Sequence, residues 1–421
     1  MTKISIITIG DELLIGQVID TNSAWMAQQL NEAGFWVNRR IAVGDDRIDI
    51  LKSLDEESTN ADIILITGGL GPTADDITKH VLCEYFNTIL VVNDEALDNI
   101  KNIFIKILQR PLIERNLKQA EVPASCLVIQ NKRGTAPGML FERDGKFFIS
   151  MPGVPHEMKG MMIDQVIPWM RKRFRTNNIS HRTLLTAGIG ESSLADIIQD
   201  FELALPPEIK LAYLPNYGMV RLRLTANSAN ENPEAELDRL FRELKLRVAE
   251  WMVTDEDISL QEALGKLLSA KKQTLATAES CTGGYVAHLI TSIPGSSTYF
   301  RGAVIAYDND VKKKMLHVDP DILAEHGAVS EETVRAMVNG ALQCMGTDYV
   351  VATSGIMGPG GGTEKKPVGT VWIAAGDSRG ILVQKHWFRF DRQRNTELTA
   401  ANVLNLLRRL IQSRSSGNGV A

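Results

Sequence analysis

Hydrophobic and polar positions fall into three regimes along the chain. Residues 3–9, KISIITI, are an apolar run, and ADIILIT at 61–67 is another. Between them lie a helical pattern over 22–33, a second strand, WVNRRIAV, and a helix after Asp45. Strands of this kind alternating with helices predict a parallel sheet covered on both faces. In open α/β sheets, ligands sit at the carboxyl ends of the strands. The polar turns Gly10–Glu12, Gly44–Asp46 and Gly68–Asp76 are therefore expected along one edge.

The second regime, residues 173–255, reads strand, helix (191–201), two strands (IKLAYLP and MVRLRLTA) and a charged helix (234–251). VRLRLTA alternates apolar with polar, as a half-exposed antiparallel strand does. This is a small α+β module, and TDEDIS at 254–259 is read as the linker after it. From Leu260 the α/β alternation returns. A helix over 260–270 precedes the strand QTLATA, the turn ESCTGG and a helix from about Tyr285. Strands follow near 301–307, 349–353 and 368–375, and a helix over 396–411 closes the domain. The expected boundaries are 1–172, 173–255 and 256–412, with 413–421 a disordered tail.

Composition narrows the function classes. The chain has 421 residues, a soft prior for two or three domains. It is 44% hydrophobic and 23% charged, as globular proteins are. A net charge of -5 argues against a dedicated nucleic-acid binder. Cys83, Cys126, Cys281 and Cys344 form no CxxC pair, which fits a reducing cytoplasm and no thiolate zinc site. MTKISIITIGDEL lacks a basic region followed by a long apolar stretch, so no signal peptide is expected. No run of about 18 apolar residues occurs, so no membrane partner is expected.

Ser280 follows a strand in TLATAESCTGG with a helix close behind, so helix amino-terminal NH groups are expected beside its hydroxyl. Gly283 and Gly284 permit close backbone approach. From local pattern alone, a lone serine in such a turn reads more readily as a helix N-cap. His288, His317, His326 and His386 lie in this domain, but none sits in a recognisable turn with an acid. Lysine is the alternative base when burial lowers its pKa. Lys312, five residues after Tyr307, can point back into a cleft, with Lys313 and Lys314 facing solvent. VKKK also reads as a solvated helix face. The loop TSGIMGPGGGTEKKPVGT carries Gly355, Gly358, Gly360, Gly361 and Gly362 before Pro367, and its NH groups can nest an anion. It lacks the order of a P-loop. Ser354 is a second serine, without GxSxG spacing.

TAESCTGG, FRGAVIAYDNDVKKKMLHV, GAVSEETVRAM and SGIMGPGGGTEKKPVGTVWIA resemble the nicotinamide-nucleotide amidohydrolase family, the carboxyl-terminal module of the CinA family. The resemblance implies a metal-free acyl-enzyme route on nicotinamide mononucleotide. Ser280 is then the nucleophile, and Lys312 with Tyr307 handles the proton. Cys281, Thr282, Gly283, Gly284, the loop glycines 355, 358, 360 and 361, and Arg392 and Arg394 are the expected substrate contacts. Met357 stands where the family usually has a small residue, and FDRQRNT departs from its usual sequence.

GDELLIGQVIDTNS, VGDDR, TGGLGPTADDIT, GTAPGM and MPGVPHEM resemble the amino-terminal half of the same family, whose fold is that of molybdopterin-binding proteins. Asp11, Glu12, Asp45, Asp46, Asp75 and Asp76 are acids in turns at strand ends. Such hard oxygen ligands suit Mg²⁺, Mn²⁺ or Co²⁺ beside a pyrophosphate. Helix capping by Asp45 and Asp75 is the plainer reading. The resemblance implies metal-dependent hydrolysis of ADP-ribose to AMP and ribose 5-phosphate. The expected metal ligands are Asp76, Asp45 and Glu12; the expected substrate contacts are Asn22, Gly68, Gly69, Gly71 and Thr73.

GIGESSLADII with VRLRLTA resembles the family's KH-like linker. Between residues 175 and 250 no GxxG loop joins two helices, so RNA binding is not expected. The expected architecture is thus a molybdopterin-binding-like α/β domain, a KH-like α+β linker and a second α/β amidohydrolase domain. A cytoplasmic homodimer is expected by base rate. Binding of a molybdopterin precursor by the first domain, activity in only one domain with the other a remnant, and a non-enzymatic role in DNA uptake or recombination remain the alternatives.

Overall fold

The computed structural model describes residues 2–73, 76–176, 178–228 and 234–415. The expected tail lies outside these from residue 416 onward. The chain divides into two compact units: Met1–Ile179 with Asn227–Pro233, and Ser180–Ala226 with Glu234–Ala421. The KH-like module and the carboxyl-terminal domain therefore share one unit.

The first unit is built on a six-stranded sheet. Its spatial order is Val37–Val43, Ile4–Ile9, Ile63–Thr67, Lys146–Met151, Gly138–Arg143 and Leu127–Ile129. The first four strands run parallel; Gly138–Arg143 is antiparallel to both of its neighbours, so Leu127–Ile129 runs with the first four. The parallel sheet expected from the first 67 residues is thus extended by an antiparallel hairpin. Ile4–Ile9 and Ile63–Thr67 are buried along their whole length. Alternate residues feed opposite faces. Ile4, Ile6, Ile63 and Leu65 pack with Met26 and Leu30, while Ile7, Ile9, Ile64 and Ile66 pack with Leu54 and Leu82. Each such aliphatic side chain contributes about 1.5–3 kcal/mol on burial, which keeps the strands in register. The stretch read as the turn GDELLIGQ contains a helical turn, Asp11–Leu14. Asp46, not Asp45, caps the helix Arg47–Asn60, accepting from Ile48 N at 2.8 Å. Asp75 lies outside the described residues.

In the second unit, the KH-like module has a four-stranded sheet ordered Ile209–Asn216, Met219–Ser228, Asn178–Ala187 and Met252–Thr254. Val220, Leu222, Leu224 and Ala226 are buried while the residues between them are half-exposed, as VRLRLTA predicts. Helices Glu191–Leu203 and Glu234–Arg247 cover the buried face. Two strands separate these helices, so among the described residues they are not joined directly by a loop. The linker TDEDIS is pinned by charge: Arg221 reaches Asp257 at 2.7 Å, Lys245 reaches Asp255 at 2.8 Å, and Lys266 pairs with Glu256.

The carboxyl-terminal domain has a five-stranded sheet ordered Phe300–Ile305, Leu275–Glu279, Tyr349–Gly355, Thr370–Asp377 and Gly380–Trp387. The first three strands are parallel; Thr370–Asp377 is antiparallel to both of its neighbours, so Gly380–Trp387 runs with the first three. The edge strand Gly380–Trp387 was not anticipated, because GILVQKHW shows no clean alternation. Helix Arg392–Ser415 lies on one face and Glu331–Met345 on the other. Among the described residues no helix is long and apolar enough to cross a membrane.

Candidate active site

Three adjacent parallel strands in the carboxyl-terminal domain end at one edge. Ser280 follows Leu275–Glu279, Tyr307 follows Phe300–Ile305, and Ser354 and Gly355 end Tyr349–Gly355. A cavity of about 290 Å³ opens there, lined by Ser280, Cys281, Tyr307, Lys312, Arg392 and the glycine loop, with Asn309 and Ser354. This is where open α/β sheets place their ligands.

Ser280 is only 8% exposed, and its backbone NH donates to Thr353 O at 3.0 Å. It does not cap a helix: the helix Tyr285–Thr291 has Gly284 at its N-cap. The amides expected to hold an oxyanion are largely taken. The buried Glu279 carboxylate accepts from Gly284 N at 3.0 Å, Val286 N at 3.0 Å and Ala287 N at 2.8 Å. It also accepts from the hydroxyls of Thr277 at 3.1 Å and Thr282 at 2.7 Å. Gly283 N donates to Ser280 O and Tyr285 N to Thr282 O. Cys281 and Thr282 are the amides beside Ser280 with no protein acceptor among the described residues. Glu279 was missed in sequence, though a charged residue closing an apolar strand is a signal. Its role is to fix the turn that carries Ser280.

Lys312 is 1% exposed, while Lys313 pairs with Asp310 near the surface. Its ammonium donates to Ala306 O at 2.8 Å and Tyr307 O at 3.2 Å. Loss of solvent pushes its pKa below the ordinary lysine value, opposed by Asp308 and Cys281. Ser280 and Lys312 line one cavity without a mutual hydrogen bond among the described residues. Such bonds tighten when substrate binds. Burial pushes the neighbouring Cys281 thiol up to about 12, away from the thiolate form that a cysteine nucleophile uses. Ser354 commits its hydroxyl to Ala328 O at 2.6 Å. None of the four histidines of this domain lines the cavity.

Of the expected substrate contacts, Cys281, Gly355, Gly358, Gly360, Gly361 and Arg392 line the cavity; Thr282, Gly283, Gly284 and Arg394 do not. The helix begins at Arg392, earlier than expected, which turns Arg394 onto the Phe390 ring at 4.2 Å. Buried Asn395 ties that helix to the loop through Met357 O at 3.1 Å. Met357, the departure noted above, lines the cavity yet packs into the core.

The first unit has its own cavity, of about 520 Å³, at the carboxyl ends of its parallel strands. Gly68, Gly69 and Gly71 line it with Glu12, Asp45 and Asp76, and so does Glu157. Thr73 lies beyond its wall. Asn22 lines a smaller neighbouring cavity that shares Glu12; its amide donates to Gly153 O at 2.7 Å, and its buried Oδ1 has no partner among the described residues. Gly68 has φ +118, and a Cβ there would lie 2.1 Å from Ile9 O. Asp76 is turned into its own loop, accepting from Gly71 N at 2.8 Å, Thr73 N at 2.9 Å and the Thr73 hydroxyl. Asp45 Oδ2 accepts from Asp11 N at 3.1 Å, while Asp45 N donates to Asp11 Oδ1 at 3.1 Å. Among the described residues no three His, Cys, Asp or Glu side chains form a metal-holding group. The expected set of Asp76, Asp45 and Glu12 therefore shares a cavity but is no all-protein cage. A divalent ion arriving with a pyrophosphate needs only one or two carboxylates, and Glu12 and Asp45 fit that smaller demand.

Comparison with known proteins matches each part. A family model described as "Probable molybdopterin binding domain" matches residues 5–172, "Damage-inducible protein CinA KH domain" matches 181–253, and "CinA C-terminal domain" matches 257–411. The chain is similar to a CinA-like protein of Cytophaga hutchinsonii, with 45% identity over 97% of each chain. It is also similar to CinA-like proteins of Flavobacterium psychrophilum (40% identity, 96% of this chain and 97% of the relative) and Chloroherpeton thalassium (41% identity, 97% and 99%).

Proposed function

This chain belongs to the family of CinA-like proteins, and from that premise we propose that its carboxyl-terminal domain is a serine amidohydrolase converting nicotinamide mononucleotide to nicotinate mononucleotide and ammonia. The observation that carries this reading is the placement of Ser280 and the desolvated Lys312 on one cavity at adjoining strand ends. Neutral Lys312 takes the Ser280 proton as Oγ attacks the carboxamide carbon. The oxyanion is received by the amides of Cys281 and Thr282. Lys312 returns the proton to the departing ammonia. Water then cleaves the acyl-enzyme and restores Ser280. Arg392 and the glycine loop stand on the same cavity as donors for the phosphate. Tyr307, 60% exposed, sits at the mouth and accepts from Arg392.

For the amino-terminal domain the reading is hydrolysis of ADP-ribose to AMP and ribose 5-phosphate. The glycine turn and the acids of the 520 Å³ cavity support it. A divalent ion (Mg²⁺, Mn²⁺ or Co²⁺) held by Glu12 and Asp45 would neutralise charge on the pyrophosphate. Both substrates are pyridine-nucleotide breakdown products, which gives the fusion of the two domains a chemical logic.

The decisive experiment is ammonia release from nicotinamide mononucleotide by wild type and Ser280→Ala, each with and without chelator. Activity in wild type that is lost in the variant and indifferent to chelator is the expected result. No ammonia from wild type overturns the amidohydrolase reading.

A further inference from the structure

The amino-terminal cavity contains a carboxylate that sequence reading did not single out. Glu157 lies in the helix Pro155–Met161, just past the fourth parallel strand, Lys146–Met151. It lines the same cavity wall as Glu12, Asp45 and the glycine turn. Asn131, 2% exposed, donates to Glu157 Oε2 at 2.6 Å and to Ala136 O at 3.0 Å. Asn131 is itself fixed: its backbone carbonyl accepts from the Asn99 amide at 2.8 Å and its side-chain Oδ1 from Arg133 N at 3.0 Å. The Glu157 carboxylate lies over Gly134, where a Cβ would fall 2.1 Å from its carboxyl carbon. The side chain is therefore held from two directions. Its other oxygen, Oε1, accepts no hydrogen bond among the described residues.

Two of the other acids of this cavity, Asp76 and Asp45, are differently disposed. Both Asp76 oxygens are spent on the loop 71–73. Asp45 is engaged with the Asp11 backbone. Burial lifts the Glu157 carboxyl above the ordinary carboxylate range, against the lowering effects of Asn131 and His156. A carboxylate of raised proton affinity is a better acceptor for a water proton than a fully solvated one.

We propose that Glu157 is the general base of the amino-terminal cavity, taking the proton from the water that attacks a pyrophosphate phosphorus. This rests on the pyrophosphatase reading given above. In the step, a water oxygen forms a bond to one phosphorus while the bond from that phosphorus to the bridging oxygen breaks. The bridging oxygen leaves with the electron pair as part of the second phosphate. Glu157 takes one water proton and later releases it to solvent. No oxidant or co-reactant is needed. Glu157 is in this sense a catalytic residue, and Asn131 is the positioning residue behind it.

The test uses the full chain with ADP-ribose and added Mn²⁺, comparing wild type, Glu157→Gln and Glu157→Asp. AMP binding is measured in parallel by calorimetry. The expected result is a fall in kcat of roughly 100-fold or more for Glu157→Gln. KM and AMP affinity stay within about threefold, and Glu157→Asp recovers part of the rate. An active wild type with Glu157→Gln within threefold of it overturns the inference and leaves the pyrophosphatase reading standing. An active wild type whose Glu157→Gln variant loses AMP affinity along with rate overturns the base and makes Glu157 a binding residue. A wild type inactive on ADP-ribose overturns the reading of the cavity and the inference with it.

Discussion

Arg392 and Tyr307 meet across the mouth of the carboxyl-terminal cavity: an Arg392 guanidinium nitrogen donates to the Tyr307 phenol oxygen at 2.9 Å, and its other terminal nitrogen donates to Gly358 O at 2.8 Å. One side chain thus joins the end of an outer strand to the glycine loop. Its five donors form a planar fork that suits phosphate.

The first prediction concerns this clamp. A charge-assisted contact of this kind contributes about 2 kcal/mol, or roughly thirtyfold in affinity. Arg392→Ala is expected to raise KM for nicotinamide mononucleotide by about that factor with a smaller effect on kcat. Nicotinamide riboside, which has no phosphate, is the control. Steady-state ammonia release on both compounds measures it, and an equal loss on both substrates would assign Arg392 to loop structure alone.

Lys312 predicts a pH dependence. Its folded pKa is lowered from 10.5 by desolvation, and only the neutral amine accepts the Ser280 proton. The value of kcat/KM should therefore rise with pH along a one-proton limb whose midpoint lies below 10.5. The sign for stability agrees. Folding expels a proton from this group between the lowered value and 10.5, so its contribution to stability improves with pH across that window. Below the window the burial cost is constant. Lys312→Arg, which stays charged, should lose ammonia release at every pH. A rate profile with no acid limb would remove Lys312 from the base role.

These two residues mark what the sequence makes legible. Ser280 was readable because a strand, a turn and a helix follow one another locally. Arg392 and Arg394 were equivalent candidates until the helix start was fixed, since two residues of offset point them to different sides. Lys312 stood in a run of three lysines, and only the packing of its helix decides which is buried. Glu157 was invisible for a different reason: its partner Asn131 is 26 residues away and meets it only through the tertiary fold. The strands Gly138–Arg143 and Lys146–Met151 were likewise missed, because a strand buried on both faces has no alternation to read.

Glu279 supplies a stability prediction. Three backbone amides and two hydroxyls converge on a carboxylate with no exposure to solvent. Glu279→Gln keeps one acceptor oxygen and turns an NH₂ group toward amides that are themselves donors. Hydrogen bonds to a buried charge contribute roughly 1.5–3 kcal/mol, and an orphaned donor costs a similar amount. The variant should lose about 2 kcal/mol or more in urea unfolding of the second unit. Its ammonia release should fall through misplacement of Ser280. Full stability in the variant would mean that the turn is held by its glycines and backbone bonds alone.

Chelation separates the two cavities. The route proposed for Ser280 uses only side chains and amides, whereas the acids around the glycine turn suit a divalent ion beside a pyrophosphate. Excess chelator is expected to abolish ADP-ribose hydrolysis and leave ammonia release within about twofold, with Asp45→Asn giving the same pattern without chelator. Simultaneous assay of both products in one sample measures it. Loss of both activities would show that the metal supports the fold rather than one reaction.

Gly68 tests the amino-terminal site by shape alone. The turn after Ile63–Thr67 brings its Cα against the carbonyl of Ile9, and its φ of +118 lies where side-chain-bearing residues are strained. In Gly68→Ala the new methyl would have to displace the end of the first strand, because a backbone carbonyl cannot rotate away as a side chain can. Strain of this kind costs on the order of 1–3 kcal/mol. It falls on the edge where Gly10, Glu12 and Asp45 enter the cavity. The expected outcome is a large loss of ADP-ribose hydrolysis, a lowered unfolding midpoint for the first unit and unchanged ammonia release. Retained hydrolysis in the alanine variant would mean that the glycine turn is not the surface on which the pyrophosphate rests.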